Sequence, residues 1–245
     1  SSSGDKYSQQ QSIFGDKIDL SEIWKLPEVS DWEVKYRLEK ERSVLGFYYS
    51  GHPLDEFSSF FKYLNIKDIT NINNDIDFIF DCVGVVVQVA ERSSRNGRFA
   101  RVLLSNKKSL TEVTIYSDIY NHKKEILKLG TEVYLKISVM KSINNTNTFL
   151  VKDVHLLEEK INFLISHFEI VLSKKINIKS FIDYVKSNIS FEQNFKKYPL
   201  HFIFEDNENN IIKIQTRQNI SSPILFINKI AKHKEVLSIT PIIKK

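Results

Sequence analysis

The sequence predicts an α+β fold in which a short helical unit, a five-stranded barrel and a small βαββαβ domain follow one another. Three observations lead to this prediction. Gly46, Gly51 and Pro53 interrupt a helical pattern at closely spaced points. A period-2 alternation of apolar residues begins near Val83 and returns in several short runs. From Ile161 onward, strand-like and helix-like patterns follow each other in a second, separate series.

Length and composition exclude several classes of protein. The 245 residues suit one or two domains, and contents of 42% hydrophobic and 27% charged residues are ordinary for a folded protein. No apolar run approaches the about 18 residues of a membrane span, and no signal peptide is visible. Cys82 is the single cysteine, which fits a reducing compartment and a small core residue. We therefore expect a cytoplasmic protein without membrane contact, and the net charge of +5 favours polyanionic partners.

Residues 1–29 are predicted to form a flexible linker. The segment is polar and low in complexity as far as Gln11, which is typical of chains that bury little apolar surface. It opens with Ser1 and has no initiating Met, so the chain is expected to be a fragment of a longer protein.

Residues 30–78 are predicted to form a helical connector. Ser30 and Glu33 have the S-x-x-E spacing of a capping box, so a helix is expected to begin there. Gly46 is a suitable helix end, and Pro53 suits the first turn of a second helix.

Residues 79–159 are predicted to form the barrel. Apolar alternation predicts strands at Val83–Val89, Ala100–Leu104, Thr111–Ile115, Val133–Val139 and Phe149–Val154, with a helix at Ile119–Leu129. Three strands, a helix and two further strands are the order of the oligonucleotide/oligosaccharide-binding (OB) barrel.

Residues 160–245 are predicted to form an α+β domain. Its expected elements are strands at Ile165–Leu172, Leu200–Phe204, Ile211–Thr216 and Val236–Ile243 and helices at Ile178–Ile189 and Pro223–Lys232. This βαββαβ order suggests a ferredoxin-like domain, and Pro241 confines the last strand to an edge of its sheet.

The corner between the two helices carries a family resemblance. Leu45–Phe57 reads L-G-F-Y-Y-S-G-H-P-L-D-E-F, and it resembles the signature that follows the helical region of the bacterial DNA polymerase III alpha subunit. The resemblance implies the carboxy-terminal region of that subunit, whose parent enzyme is a DNA-directed DNA polymerase, a nucleotidyltransferase that uses Mg²⁺. It implies no active site and no cofactor in this region, which instead handles single-stranded template DNA and protein partners. It also implies that the last domain docks the tau subunit of the clamp loader.

The amino-terminal segment contains a candidate clamp-binding peptide. Gln10, Ile13 and Phe14 resemble the pentapeptide with which polymerase alpha subunits bind the sliding clamp: glutamine, two variable positions, an aliphatic residue and an aromatic residue. Ile13 departs from the common form, which has leucine. Two apolar side chains in an unfolded segment have no core to fill, and a pocket on a partner would bury them. The alternative is that they pack onto the helix that follows.

The barrel also carries candidate nucleic-acid contacts. These are Arg92, Arg95, Arg98, Phe99, Arg101 and Lys141. The first three surround the hairpin-turn pair at residues 96–97, and Phe99 and Arg101 share the face opposite Ala100. An aromatic residue beside guanidinium groups on an exposed sheet is how such barrels stack bases and contact phosphates. Lys141 opens the loop between strands four and five, which borders the usual OB groove. The alternative is a solvated basic loop with Phe99 in the barrel end.

The remaining carboxylates and histidines are not expected to form a catalytic or metal site. Asp75 and Asp77 resemble paired catalytic carboxylates but lie in an Asn-rich loop without a phosphate cradle. The six histidines are dispersed along the sequence, so no metal site is expected. His52, which precedes Pro53, is expected to be a helix-capping or corner residue and not a ligand. Two rival functions stay open: an RNA-binding OB module appended to an enzyme such as an aminoacyl-tRNA synthetase, and a catalytic nucleotidyltransferase fragment.

Overall fold

The computed structural model describes most of the chain. The described residues are 29–69, 79–94, 97–141, 147–174, 176–188, 198–205, 209–220 and 222–244. The helices are α1 (Val34–Leu45), α2 (Ser58–Phe61), α3 (Ser117–Lys123), α4 (Leu157–Leu164), α5 (Ile178–Asn188) and α6 (Pro223–Ile230), with 3-10 turns at Pro53–Phe57 and Lys124–Ile126. The strands are β1 (Ile79–Ser94), β2 (Gly97–Ser105), β3 (Leu110–Tyr116), β4 (Glu132–Lys141), β5 (Asn147–Leu156), β6 (Ile165–Leu172), β7 (Tyr198–Glu205), β8 (Ile211–Ile220) and β9 (Val236–Ile243). Within this part of the chain, no helix is both long enough and apolar enough to cross a membrane.

Helix α1 begins later than the capping box predicts. Glu33 is itself the N-cap, and its side chain makes no capping hydrogen bond, so the predicted box with Ser30 is wrong. Asp31 takes over part of this role because its carboxylate forms an ion pair of 3.0 Å with Arg37 in the first turns of the helix. The acidic group thus lies just outside the amino terminus, where the helix dipole favours it.

The corner after α1 is built from a helix end at Gly46 and an amino-terminal cap at His52. Gly46 ends α1 with a φ of +82°, a left-handed conformation that glycine adopts without a steric penalty, and this confirms the predicted helix end. The backbone N–H of Leu54 donates to Nδ1 of His52 at 3.2 Å, and the N–H of His52 donates to the carboxylate of Asp55 at 2.7 Å. Burial lowers the pKa of His52, which favours the neutral ring that this acceptor role requires. His52 therefore caps the turn that begins at Pro53, as predicted.

The strands β1 to β5 form a closed barrel in the order β1-β2-β3-β5-β4. Neighbouring strands are antiparallel except β3 and β5, whose parallel pairing closes the barrel. The predicted OB-type barrel is confirmed by this arrangement. Its interior is filled by fully buried side chains such as Val102, Val113 and Leu135, and Cys82 lies among them at 3% exposure.

The helix between β3 and β4 is shorter than the sequence pattern predicts. Its last turn ends at Ile126, although apolar and polar residues continue in a helical order to Leu129. The N–H of Gly130 donates to the carbonyl of Val86 at 2.7 Å, and the N–H of Val86 donates to the carbonyl of Thr131 at 3.0 Å. The chain thus bonds to β1 after the helix ends, and Leu127 is buried in the barrel core.

The carboxy-terminal sheet has the predicted order of elements but a different strand arrangement. Its strands lie in the order β8-β7-β6-β9, with β6 and β7 as parallel neighbours. A ferredoxin-like domain places another strand between the two parallel strands of its βαβ unit, so this part of the prediction is wrong for the described sheet. The direct pairing of β6 with β7 places buried apolar residues next to each other, with Phe168 beside Leu200 and Ile170 beside Phe202. Pro241 lies in the edge strand β9, as predicted.

One core joins the helical corner, the outer surface of the barrel and the carboxy-terminal sheet. Leu54 and Phe60 of the corner belong to the same buried cluster as Val85 of β1 and Phe168 of β6. Helix α4, which the sequence pattern did not reveal, adds Leu157 and Ile161 to this cluster and connects the barrel to the sheet. The division of the chain at residues 29, 78 and 159 stays a prediction.

Candidate nucleic-acid interface

The alternation along β2 separates a core face from a surface face. Ala100, Val102 and Leu104 point into the barrel and are buried. Phe99 and Arg101 therefore lie on the outer face, where Phe99 is half-buried and Arg101 is exposed.

Strand pairing places further side chains beside these two. Arg92 of β1 and Tyr116 of β3 are the cross-strand partners of Phe99, and Thr114 is the partner of Arg101. Side chains that are directly opposite each other on one face lie about 4.5–5.5 Å apart at Cβ. Tyr116 is 51% exposed, and the guanidinium carbon of Arg101 lies 6.0 Å from the centre of the Phe99 ring. We call the outer surface formed by Arg92, Phe99, Arg101, Thr114 and Tyr116 the β2–β3 face.

A cleft of about 620 Å³ opens beside the β2–β3 face. Arg101 and Thr114 line one side, and Asn147 and Phe149 from the start of β5 line the other. Residues 142–146, which connect β4 to β5 in the sequence, lie outside the described residues. In OB barrels the usual binding groove is the face of strands two and three, bordered by the connection between strands four and five.

The charges on and near the face are not all positive. Arg101 forms an ion pair of 3.4 Å with Glu112 of β3, and both side chains are about half exposed. Among the described residues, Arg92 and Arg98 make no ion pair, so their guanidinium groups are open to phosphate. A phosphate at Arg101 would have to displace or tolerate the carboxylate of Glu112.

A hydrogen bond and an ion pair secure Glu91 of β1 to α3 and to the 3-10 turn that follows it. The hydroxyl of Tyr120 donates to Glu91 at 2.9 Å, and the ammonium of Lys124 donates to the same oxygen at 2.7 Å. The hydrogen bond from Lys124 lowers the pKa of Glu91, with a smaller contribution from the nearby charge of Arg98. The base of the hairpin is thereby fixed against the barrel end.

The structure brings together some of the predicted contacts and separates others. Arg92, Phe99 and Arg101 share the β2–β3 face. Arg98 pairs with Ser93 and lies two residues before Ala100 in β2, so it shares the face of Ala100 and lies on the opposite side of the hairpin from Phe99. Lys141 ends β4 opposite Asn147 at the mouth of the cleft, and its side chain is outside the described part, as is Arg95.

Three residues of this region were missed by the sequence reasoning. Glu112, Thr114 and Tyr116 are on the face opposite Val113. The same period of two that predicts β3 assigns them to the outer surface, so the signal for their orientation was present. Their proximity to Arg101 and Phe99 depends on the β2–β3 register, which periodicity alone does not reveal.

Two other predictions fall outside the described residues. The clamp-binding candidates Gln10, Ile13 and Phe14 precede residue 29, and the carboxylates of Asp75 and Asp77 lie between residues 69 and 79.

Comparison with known sequences gives a consistent result. No family model matches the chain. The DNA polymerase III subunit alpha of Aquifex aeolicus is 30% identical over 126 residues, which is 50% of this chain and 11% of that protein. The protein of the same name from Buchnera aphidicola is 29% identical over 71% of this chain and 16% of its own length. The one from Borreliella burgdorferi is 23% identical over 81% of this chain and 18% of its own length. The resemblance to DNA polymerase III alpha subunits is thus confirmed, and each match spans less than a fifth of the relative's length.

Solved structures provide a weaker comparison. A mitochondrial single-stranded DNA-binding protein from S. cerevisiae is 19% identical, and the match covers 33% of this chain and 96% of that one with a TM-score of 0.30. A small single-stranded DNA-binding protein from Streptomyces coelicolor is 13% identical over 34% of this chain and 95% of that one, with a TM-score of 0.28. The assignment of the barrel rests on its own strand order.

Proposed function

We propose that this chain is the carboxy-terminal accessory region of a replicative DNA polymerase III alpha subunit and that its barrel binds single-stranded template DNA. The observation that carries the proposal is the β2–β3 face, where two aromatic residues and two arginines are neighbours and Arg101 also lines the adjacent cleft. The resemblance to alpha subunits supplies the context of DNA replication.

The β2–β3 face offers both parts of single-strand recognition. Bases stack on Phe99 and Tyr116, each contact contributing roughly 1–3 kcal/mol, and any base has a face suited to this. Arg92 and Arg101 contact phosphates along the same strand, which makes binding depend on salt concentration. Thr114 and Asn147 line the cleft and supply hydrogen-bonding groups for sugars and base edges.

Glu112→Gln is expected to tighten the binding of single-stranded DNA by about twofold to fivefold. The substitution frees Arg101 from an exposed ion pair, which contributes roughly 0.2–1 kcal/mol, and removes a negative charge from the path of the phosphates. If one more phosphate is neutralised, the slope of log affinity against log salt steepens by about 0.7. Fluorescence anisotropy with a labelled oligothymidine over a series of salt concentrations measures both quantities.

Glu125→Gln is the matched control for this experiment. It changes the net charge equally, but Glu125 lies on the 3-10 turn after α3 and pairs with Lys128. An equal gain in both variants would show a general charge effect and would contradict a role for the β2–β3 face. A salt slope near zero for the unmodified chain would remove the proposed DNA binding altogether.

We also propose that residues 10–14 bind the sliding clamp. The support is the pattern of Gln10, Ile13 and Phe14 in a segment of low complexity. Changing all three to alanine is expected to abolish an interaction of roughly micromolar affinity, about −8 kcal/mol, because both apolar anchors and the glutamine are lost. Surface plasmon resonance on immobilised clamp measures it. Gln11→Ala with Ser12→Ala, at the two variable positions, should bind as the unmodified chain does, and unchanged affinity of the triple variant would contradict the proposal.

The remaining roles follow from the proposed parent enzyme. That polymerase adds deoxynucleotides to a primer with Mg²⁺, and in this proposal the present region contributes no catalytic residue to that step. Residues 160–245 dock the tau subunit of the clamp loader.

A further inference from the structure

An unassigned cluster of metal-ligating side chains lies on the carboxy-terminal sheet. His167 and Glu169 of β6 and His201 of β7 each place one ligand atom within 4.8 Å of the other two. The two histidines are 34 residues apart in the sequence, and the parallel pairing of β6 and β7 brings them together, with Glu169 directly opposite His201. Dispersal along the chain therefore concealed the cluster from sequence reasoning.

The cluster lies on the face of the sheet opposite the one that α5 and α6 cover. Phe168 and Ile170 point to the other face, where α5 and α6 contribute residues to the shared core. His167, Glu169 and His201 alternate with these buried residues and are partly exposed. The side chains of His167 and Glu169 are 21% and 28% exposed.

We propose that His167, Glu169 and His201 form a binding site for a transition-metal dication, with Zn²⁺ as the fitting ion. Two imidazoles and one carboxylate are a common three-residue ligand set for zinc, with the fourth position left to water. Imidazole donors disfavour Mg²⁺ and Ca²⁺, which take oxygen ligands.

The geometry needs only a small adjustment to hold the ion. Nε2 of His167 lies 3.9 Å from Oε1 of Glu169, and the two imidazole ring centres are 4.2 Å apart. Ligand atoms at zinc bond lengths of about 2.0–2.1 Å in a tetrahedral site lie about 3.3 Å from each other. Side-chain rotations that move atoms by less than about 1 Å close this difference.

Two features of the histidines agree with ligation. Nδ1 of His167 lies 3.3 Å from the hydroxyl of Ser166, so an Nδ1–H donor would leave Nε2 for the metal, the usual arrangement for a ligating histidine. Among the described residues, Nδ1 of His201 is buried and has no hydrogen-bond partner in the protein, so this nitrogen is left to a ligand.

The ammonium group of Lys213 competes with a metal ion for the carboxylate of Glu169. This ammonium donates a hydrogen bond of 2.5 Å to Oε1 of Glu169. A bound dication must displace this ammonium or share the carboxylate with it. Lys213 therefore sets the affinity of the site without being a ligand.

A Zn²⁺ titration of the whole chain against a chromophoric chelator tests the proposal. We expect one equivalent of Zn²⁺ to bind, His167→Gln and His201→Gln each to weaken binding by at least about tenfold, and Lys213→Gln to tighten it by up to about fivefold. Co²⁺ in place of Zn²⁺ should give the strong visible absorption of a four-coordinate site.

His155→Gln is the matched control. Nε2 of His155 lies 2.8 Å from a carboxylate oxygen of Asp153, but no third metal-ligating side chain joins these two among the described residues. It should bind Zn²⁺ as the unmodified chain does. The absence of stoichiometric Zn²⁺ binding, an equal loss in His155→Gln and His201→Gln, or weaker binding in Lys213→Gln would each overturn the proposal.

Discussion

Replacing Phe99 and Tyr116 together by alanine is expected to weaken the binding of single-stranded DNA by at least about 30-fold. Each ring stacks one base in the proposed complex, and loss of each contact costs roughly 1–3 kcal/mol, where 1.4 kcal/mol is a factor of ten. The two rings are cross-strand partners, so bases stacked on them belong to one continuous strand of DNA. Fluorescence anisotropy at fixed salt concentration measures the change.

Two control variants separate stacking from other effects. Phe99→Tyr with Tyr116→Phe keeps both ring faces and should retain affinity within about threefold, because stacking tolerates this exchange. Tyr49→Ala removes an aromatic ring that is 78% exposed but lies in the helical corner, and it should not change binding. Equal affinities for the double alanine variant and the unmodified chain would show that bases do not contact this face.

Phe168→Ala is expected to lower the free energy of unfolding by about 3–5 kcal/mol, the usual cost of deleting a buried ring. Phe168 is 0% exposed and lies 5.4 Å from the ring of Phe226 and 6.5 Å from that of Tyr198. It belongs to the cluster that joins the corner, the barrel surface and the sheet, so a cavity there loosens contacts of all three. Urea unfolding followed by circular dichroism measures the loss.

Phe163→Ala is the control for this prediction. The same chemical change is made on α4, where the ring is 66% exposed, and it should alter stability by less than about 0.5 kcal/mol. A loss below about 1 kcal/mol for Phe168→Ala would mean that the sheet does not depend on this core.

Local properties of the chain could be predicted from the sequence. Alternation assigns Phe99 and Arg101 to the face opposite Ala100, because a period of two is a property of the strand itself. The roles of Gly46 and Pro53 are equally local. Gly46 ends a helix because glycine adopts the left-handed conformation readily, and Pro53 begins a turn because its φ is already fixed near the helical value.

Properties that depend on pairing could not be predicted in the same way. Nothing in the order βαββαβ specifies that β6 and β7 pair directly, and this pairing decides both the sheet order and the meeting of His167 with His201. The proximity of Glu112 to Arg101 likewise depends on the register of β2 and β3. Partners that lie far apart in sequence leave no mark in a periodic pattern.

The burial of Cys82 has a practical consequence. Burial raises the pKa of its thiol, and the thiolate is the form that reacts with alkylating reagents. In the folded protein the Cys82 thiol is therefore expected not to react with maleimides. A cysteine introduced at an exposed position accepts a fluorophore or spin label selectively, with the natural one left in place. Slow modification of Cys82 itself then reports how often the barrel opens.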